Sequence, residues 1–220
     1  MVKNNTENVS IKDQMIDSAL ALAAIGNWGE IDFDDIIADA QIDRKEVLEY
    51  FDDKGDILIA YGRLVDKQMI ENAALKPLGD VEITEENQSL IRERLFDLIM
   101  ERFDVLNENR SAVLSILGGI KFDPKQAIIA LPHLTKSIGR ILEEAGETLG
   151  GIKGCAKITG LTAVYLYTVK SWCDDDTADM AKTMAVLDKS LGFAEEAANT
   201  LSGGDILGLF SKVKESFSKN

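Results

Sequence analysis

The chain has 220 residues, with 24 Lys and Arg against 38 Asp and Glu, a net charge of −14. An apolar share of 45 % is enough for a sizeable core in one large or two small domains, and only three prolines leave little room for a turn-rich all-β fold. So acidic a chain repels phosphate backbones, so reading nucleic acid would require a local basic patch; two loosely spaced cysteines exclude a disulfide framework and a cysteine metal motif.

Residues 1–10 are polar, read as a disordered arm, and show no signal-peptide pattern. Ile11, Met15, Ala19, Leu22 and Ile25 recur at helical spacing, and Gly26 and Gly29 end that helix. Asp32 is placed to cap a short helix through Ala40. Gln41-Ile42-Asp43 forms a tight connection, and Asp43 caps a second short helix over Arg44–Tyr50. Lys54-Gly55-Asp56 opens a long amphipathic helix to about Ala74. The segment Lys76-Pro77-Leu78-Gly79 predicts a break between a domain at residues 11–76 and a second at 84–201.

Beyond the break, Thr84 with Glu85 and Glu86 starts a helix striped by Phe96, Ile99, Phe103 and Leu106. The next is expected over Arg110–Leu117 and ended by Gly118-Gly119. Asp123-Pro124 starts another, with Pro132 expected to kink or split it and Gly150-Gly151 to close the segment. Ile158, Leu161, Tyr165, Val169 and Trp172 stripe the following helix. Its uncharged run, Ile158–Val169, is too short to span a bilayer. Asp176-Thr177 opens a last long helix to about Leu201. After Ser202-Gly203-Gly204 a separate amphipathic helix is expected at residues 205–217. No stretch alternates as a strand, so the fold class is all-α.

Two short helices joined by a three-residue turn, after a long first helix, suggest a helix-turn-helix. The run Ala40-Gln41-Ile42-Asp43, then Val47-Leu48-Glu49-Tyr50-Phe51, Lys54 and Ile57-Leu58, resembles the N-terminal domain of the TetR family of bacterial regulators. The resemblance implies a three-helix DNA-binding domain, a larger helical domain for ligand binding, and a homodimer through the last two long helices. It makes Arg44, Lys45, Tyr50 and Lys54 the DNA-contact candidates. Leu48 stands where the family has a phosphate-contacting Tyr, and Gln41 replaces the turn Gly. From Trp28 to Lys54 there are ten acids against three bases, a net of −7 over the segment that would meet DNA.

The second domain resembles, more narrowly, the TetR-fold accessory proteins of ubiquinone biosynthesis. The resemblance rests on the runs IRERLFDLIMERFDVLNENRSAVLSIL, LTKSIGRILEEAG and GLTAVYLYTVKSWCDDDTADMAKTMAVLDKSL, with Asp175-Asp176-Thr177 and Leu187-Asp188 at the motif positions. It implies a lipid or isoprenoid in a buried cavity and no catalysis. Phe96, Phe103, Leu117, Ile138, Leu142, Leu161, Tyr165, Trp172 and Met184 are the pocket candidates, with simple core filling as the alternative for each. In the tail, Ile206, Leu207, Phe210, Val213 and Phe217 are candidates for a peripheral contact on the inner membrane face. Packing on its own domain or on a dimer mate is the alternative.

His133 is the only histidine and cannot build a His-rich metal site. The Asp174-Asp175-Asp176 run is explained by a helix start, and Gly150–Gly154 lacks phosphate-loop spacing. No metal, cofactor or catalytic constellation is assigned. The expected function is that of a cytoplasmic, non-catalytic homodimer that binds an apolar ligand, with weak or lost DNA binding. The alternative is a ligand-responsive regulator that binds operator DNA.

Overall fold

The structure, a computed structural model, describes residues 10–74, 88–121 and 124–202. Among these it contains nine α-helices and no strand. They are α1 (Ile11–Ile25), α2 (Phe33–Ala40), α3 (Arg44–Val47), α4 (Lys54–Ala74), α5 (Gln88–Asn107), α6 (Arg110–Lys121), α7 (Pro124–Glu144), α8 (Gly151–Cys173) and α9 (Ala181–Ser202), with a 3-10 turn at Trp28–Glu30. The arm apart from Ser10, the expected break and helix start at residues 76–86, and the tail helix with Ile206, Leu207, Phe210, Val213 and Phe217 lie outside the described residues.

Helix starts follow local chemistry. Ser10 Oγ accepts from the Asp13 amide at 3.2 Å, Asp43 Oδ1 from the Lys45 amide at 2.7 Å, and Asp53 Oδ1 from the Gly55 amide at 2.7 Å. Asp32 and Asp35 form a reciprocal capping box at the head of α2.

The chain forms two compact units. The first comprises Met1–Lys76 and Glu101–Ser137, so it takes in residues from both sides of the break expected at 76–84. The reason is apolar surface on α1: Met15, Ile16, Ala19 and Ala23 are buried, and α1 packs not only on α2 and α4 but also on α6. The second unit comprises Pro77–Met100 and Ile138–Asn220. In it α8 packs along α9, burying Leu161, Tyr165 and Trp172 from one helix and Leu187 and Leu191 from the other.

Four local expectations need correction. Helix α6 does not stop at Gly118-Gly119 but continues to Lys121, because Gly119 serves a packing contact rather than a helix end. Pro132 does not split α7, which runs unbroken through it from Pro124 to Glu144. Loss of one main-chain donor in a long helix leaves its other turns intact. The second helix of the helix-turn-helix ends at Val47, with Leu48–Tyr50 in turn conformation before the buried Phe51. Helix α9 begins at Ala181 rather than Asp176, because Asp175 and Thr177 shape a connecting loop first.

Candidate functional site

In the first unit, α2, the turn and α3 form the helix-turn-helix. Gln41 closes α2 in the left-handed region at φ 56, a conformation that glycine adopts without strain. Val47 is fully buried and anchors α3, while Leu48 and Tyr50 face outward, each about half exposed.

The four DNA-contact candidates are not equally available. Arg44 is ion-paired with Asp34 of α2. Lys54 turns inward: its Nζ donates to the carbonyls of Trp28, at 3.0 Å, and Ile31, at 2.5 Å, and lies 5.0 Å from the centre of the Trp28 ring. The Tyr50 ring receives Lys12 Nζ at 5.3 Å. Lys45 is exposed on α3. All ten acids between Trp28 and Lys54 are exposed as well, so the carboxylates counted in the sequence form a solvent-facing anionic surface around the motif.

Residues that sequence reasoning missed hold this motif in place. The Trp28 ring is buried, its amide donates to Ser115 Oγ of α6 at 3.1 Å, and that hydroxyl donates to the Gly26 carbonyl at 2.8 Å. Gly119 completes the seat: a Cβ there would lie 2.9 Å from Trp28 Cδ1. Trp28 sits on a 3-10 turn, where helical periodicity gives no signal. A second missed feature is polar and buried. Asp66 of α4 is ion-paired with Arg102 of α5 and accepts from Ser137 Oγ of α7 at 2.7 Å, all three being less than a tenth exposed. Nearby Asn72 donates to Glu101 at 2.8 Å. The one legible hint was Asp66 falling beside the apolar α4 positions 57, 61, 65 and 69.

The pocket candidates divide between the units. Phe103 and Leu117 belong to the first, the one fully buried and the other half-buried. Phe96, Ile138, Leu142, Leu161, Tyr165, Trp172 and Met184 belong to the second. Of these, Ile138, Leu142, Leu161, Tyr165 and Trp172 are buried, whereas Phe96 and Met184 are half-buried. His133 is exposed, and among the described residues no cluster of His, Cys, Asp and Glu is arranged to hold a metal.

The α8–α9 connection is organised by Asp175, only 2 % exposed. Its Oδ1 accepts from the amide and hydroxyl of Thr177 at 3.1 and 2.5 Å, and its Oδ2 from the amide and hydroxyl of Thr183, both at 2.8 Å. Burial by itself raises a carboxyl pKa. Here the hydrogen bonds from Thr177 and Thr183 outweigh it and hold the group well below the ordinary carboxylate range. The acidic run is therefore a structural clip: its Asp175 carboxylate accepts from Thr177 in the connecting loop and from Thr183 in the first turn of α9.

No protein-family model matches the chain, and no curated protein does. Solved structures do. The helix order and the helix-turn-helix define the fold of TetR-family transcriptional regulators, and this chain has that fold. It is similar to the TetR transcriptional regulator of Nitrosomonas europaea, at 22 % identity over 84 % of this chain and 98 % of that one, with a TM-score of 0.64. It is also similar to a TetR-family regulator of Syntrophomonas wolfei, at 17 % identity over 85 % and 94 %, with a TM-score of 0.54.

Proposed function

We propose that the chain is a non-catalytic TetR-fold homodimer that holds an apolar, lipid- or isoprenoid-like molecule in its second unit, and that its helix-turn-helix binds DNA weakly. The observation that carries the DNA half of this reading is the state of the cations. Arg44 is engaged by Asp34 and Lys54 by two carbonyls, within a surface of ten exposed carboxylates. Binding to a phosphate backbone depends on cations that release counterions, and nearby fixed carboxylates subtract from it. The ligand half is supported by five buried apolar or aromatic candidates gathered in one unit, Ile138, Leu142, Leu161, Tyr165 and Trp172. Dimerisation is supported by Leu166 and Tyr167 of α8 and Phe193 of α9, all exposed.

The second reading, a ligand-responsive operator-binding regulator, is favoured by the likeness to solved regulators along 84 % of the chain. Selection from genomic DNA fragments separates the two. Recovery of one discrete sequence, bound tightly at physiological salt with the steep salt dependence of phosphate contacts, would overturn the first reading. Native mass spectrometry of the purified protein tests the ligand: a retained apolar mass is expected, and its loss in Leu161→Trp, which adds bulk among the buried candidates of the second unit, is the outcome that supports binding there.

A further inference from the structure

Helix α7 presents apolar side chains outward where the helix belongs to the first unit. Within one turn, Ile128 is 72 % exposed, Ile129 48 % and Leu131 47 %, with Pro132 and His133 also exposed. The same helix later buries Ile138, Ile141 and Leu142, so its sequence has no shortage of inward positions. Leaving three adjacent large apolar groups in water is costly, and contiguous patches of this kind mark contact surfaces.

The charge around them is the reverse of the chain's. From Pro124 to Leu142 the sequence holds Lys125, Lys136 and Arg140 and not one Asp or Glu, in a chain where acids outnumber bases 38 to 24. Lys136 is exposed on the helix, and Lys121 is exposed at the end of α6. An apolar face with a cationic border matches a surface that is anionic outside and hydrocarbon beneath. DNA offers no apolar layer to receive Ile128 and Ile129. A second copy docked symmetrically on this face would bring an identical cationic border to it, with no Asp or Glu from Pro124 to Leu142 to pair with these bases.

We propose that this face of α7 is a docking surface for anionic lipid bilayers, with Ile128, Ile129 and Leu131 entering the headgroup–acyl boundary and Lys136 facing lipid phosphates. The inference goes beyond the ligand and DNA readings above and stands independently of both.

Co-sedimentation of the full chain with vesicles of phosphatidylglycerol and phosphatidylcholine, compared with phosphatidylcholine alone, tests it. Preferential pelleting with the anionic vesicles is expected. Ile128→Glu/Ile129→Glu should lower the bound fraction about tenfold or more, with unchanged circular dichroism because both positions face solvent. Lys136→Glu should lower it about fivefold at low salt and have little effect at high salt. A chain ending at Ser202 should keep the same dependence on Ile128 and Ile129. The proposal is overturned by equal pelleting of wild type and double variant, or by an Ile128/Ile129 effect that vanishes in the shortened chain. It is also overturned if the double substitution halves the solution mass, since a second copy would then cover the face.

Discussion

Asp175 shows how a single side chain can be both buried and charged. Its four donors come from the loop and the first turn of α9, so losing the charge loosens the α8–α9 connection. Because its folded pKa is depressed, its stabilising contribution is complete above the unfolded carboxyl value of about 4 and is lost as pH falls from there towards the folded value. Denaturant titrations of wild type and Asp175→Asn should therefore differ by about 2–3 kcal/mol at neutral pH, and the gap should begin to close only as pH falls below about 4, towards the depressed folded value. Parallel pH profiles would refute this role. Gln41 makes the opposite case, a residue whose side chain does less than its backbone. With φ 56 it carries the strain of a left-handed residue, so Gln41→Gly should raise stability by about 1 kcal/mol in urea unfolding.

At the scale of elements, neighbouring glycines in α6 have different reasons to be there. A Cβ at Gly118 meets nothing within 4 Å, whereas one at Gly119 meets the buried Trp28 ring and the Gly29 amide. The helix-propensity gain of alanine is the same at both sites, so Gly118→Ala should be more stable than Gly119→Ala by about 1–3 kcal/mol in thermal or urea unfolding. The buried Asp66–Arg102 pair ties α4 to α5 within the first unit. Asp66→Ala, which leaves a buried guanidinium without this carboxylate, should cost about 3–5 kcal/mol, and Asp66→Leu with Arg102→Met should recover much of it. Both are read from denaturation midpoints.

For the whole molecule, the net charge of −14 resolves into regions of opposite character. The helix-turn-helix surface carries ten exposed acids, while the stretch of α7 from Pro124 to Leu142 carries three bases, no acid and the exposed Ile128, Ile129 and Leu131. The exposed Leu166 and Tyr167 on α8 and Phe193 on α9 belong to the proposed dimer surface. Tyr167→Asp should shift the sedimentation-equilibrium mass from dimer to monomer without loss of helicity, whereas Ile128→Glu/Ile129→Glu should leave it at the dimer. A dimer that persists in Tyr167→Asp would place the interface elsewhere.

Sequence by itself determined most of the helices, the caps at Asp32 and Asp43, the turn at Gln41 and the acidity of the helix-turn-helix. Each depends on residues within about four positions of one another or on simple charge counting. Tertiary structure alone decided that Gly119 is a contact and not a stop, that Lys54 is held inward on Trp28 and Ile31, and that Asp66 and Arg102 lie in the core. It also decided that Ile128 and Ile129 face outward. The physical reason is range. Trp28 meets Ser115 across 87 positions and Ser137 meets Asp66 across 71. Whether an apolar or charged side chain is buried depends on what arrives from that distance, which no local pattern records.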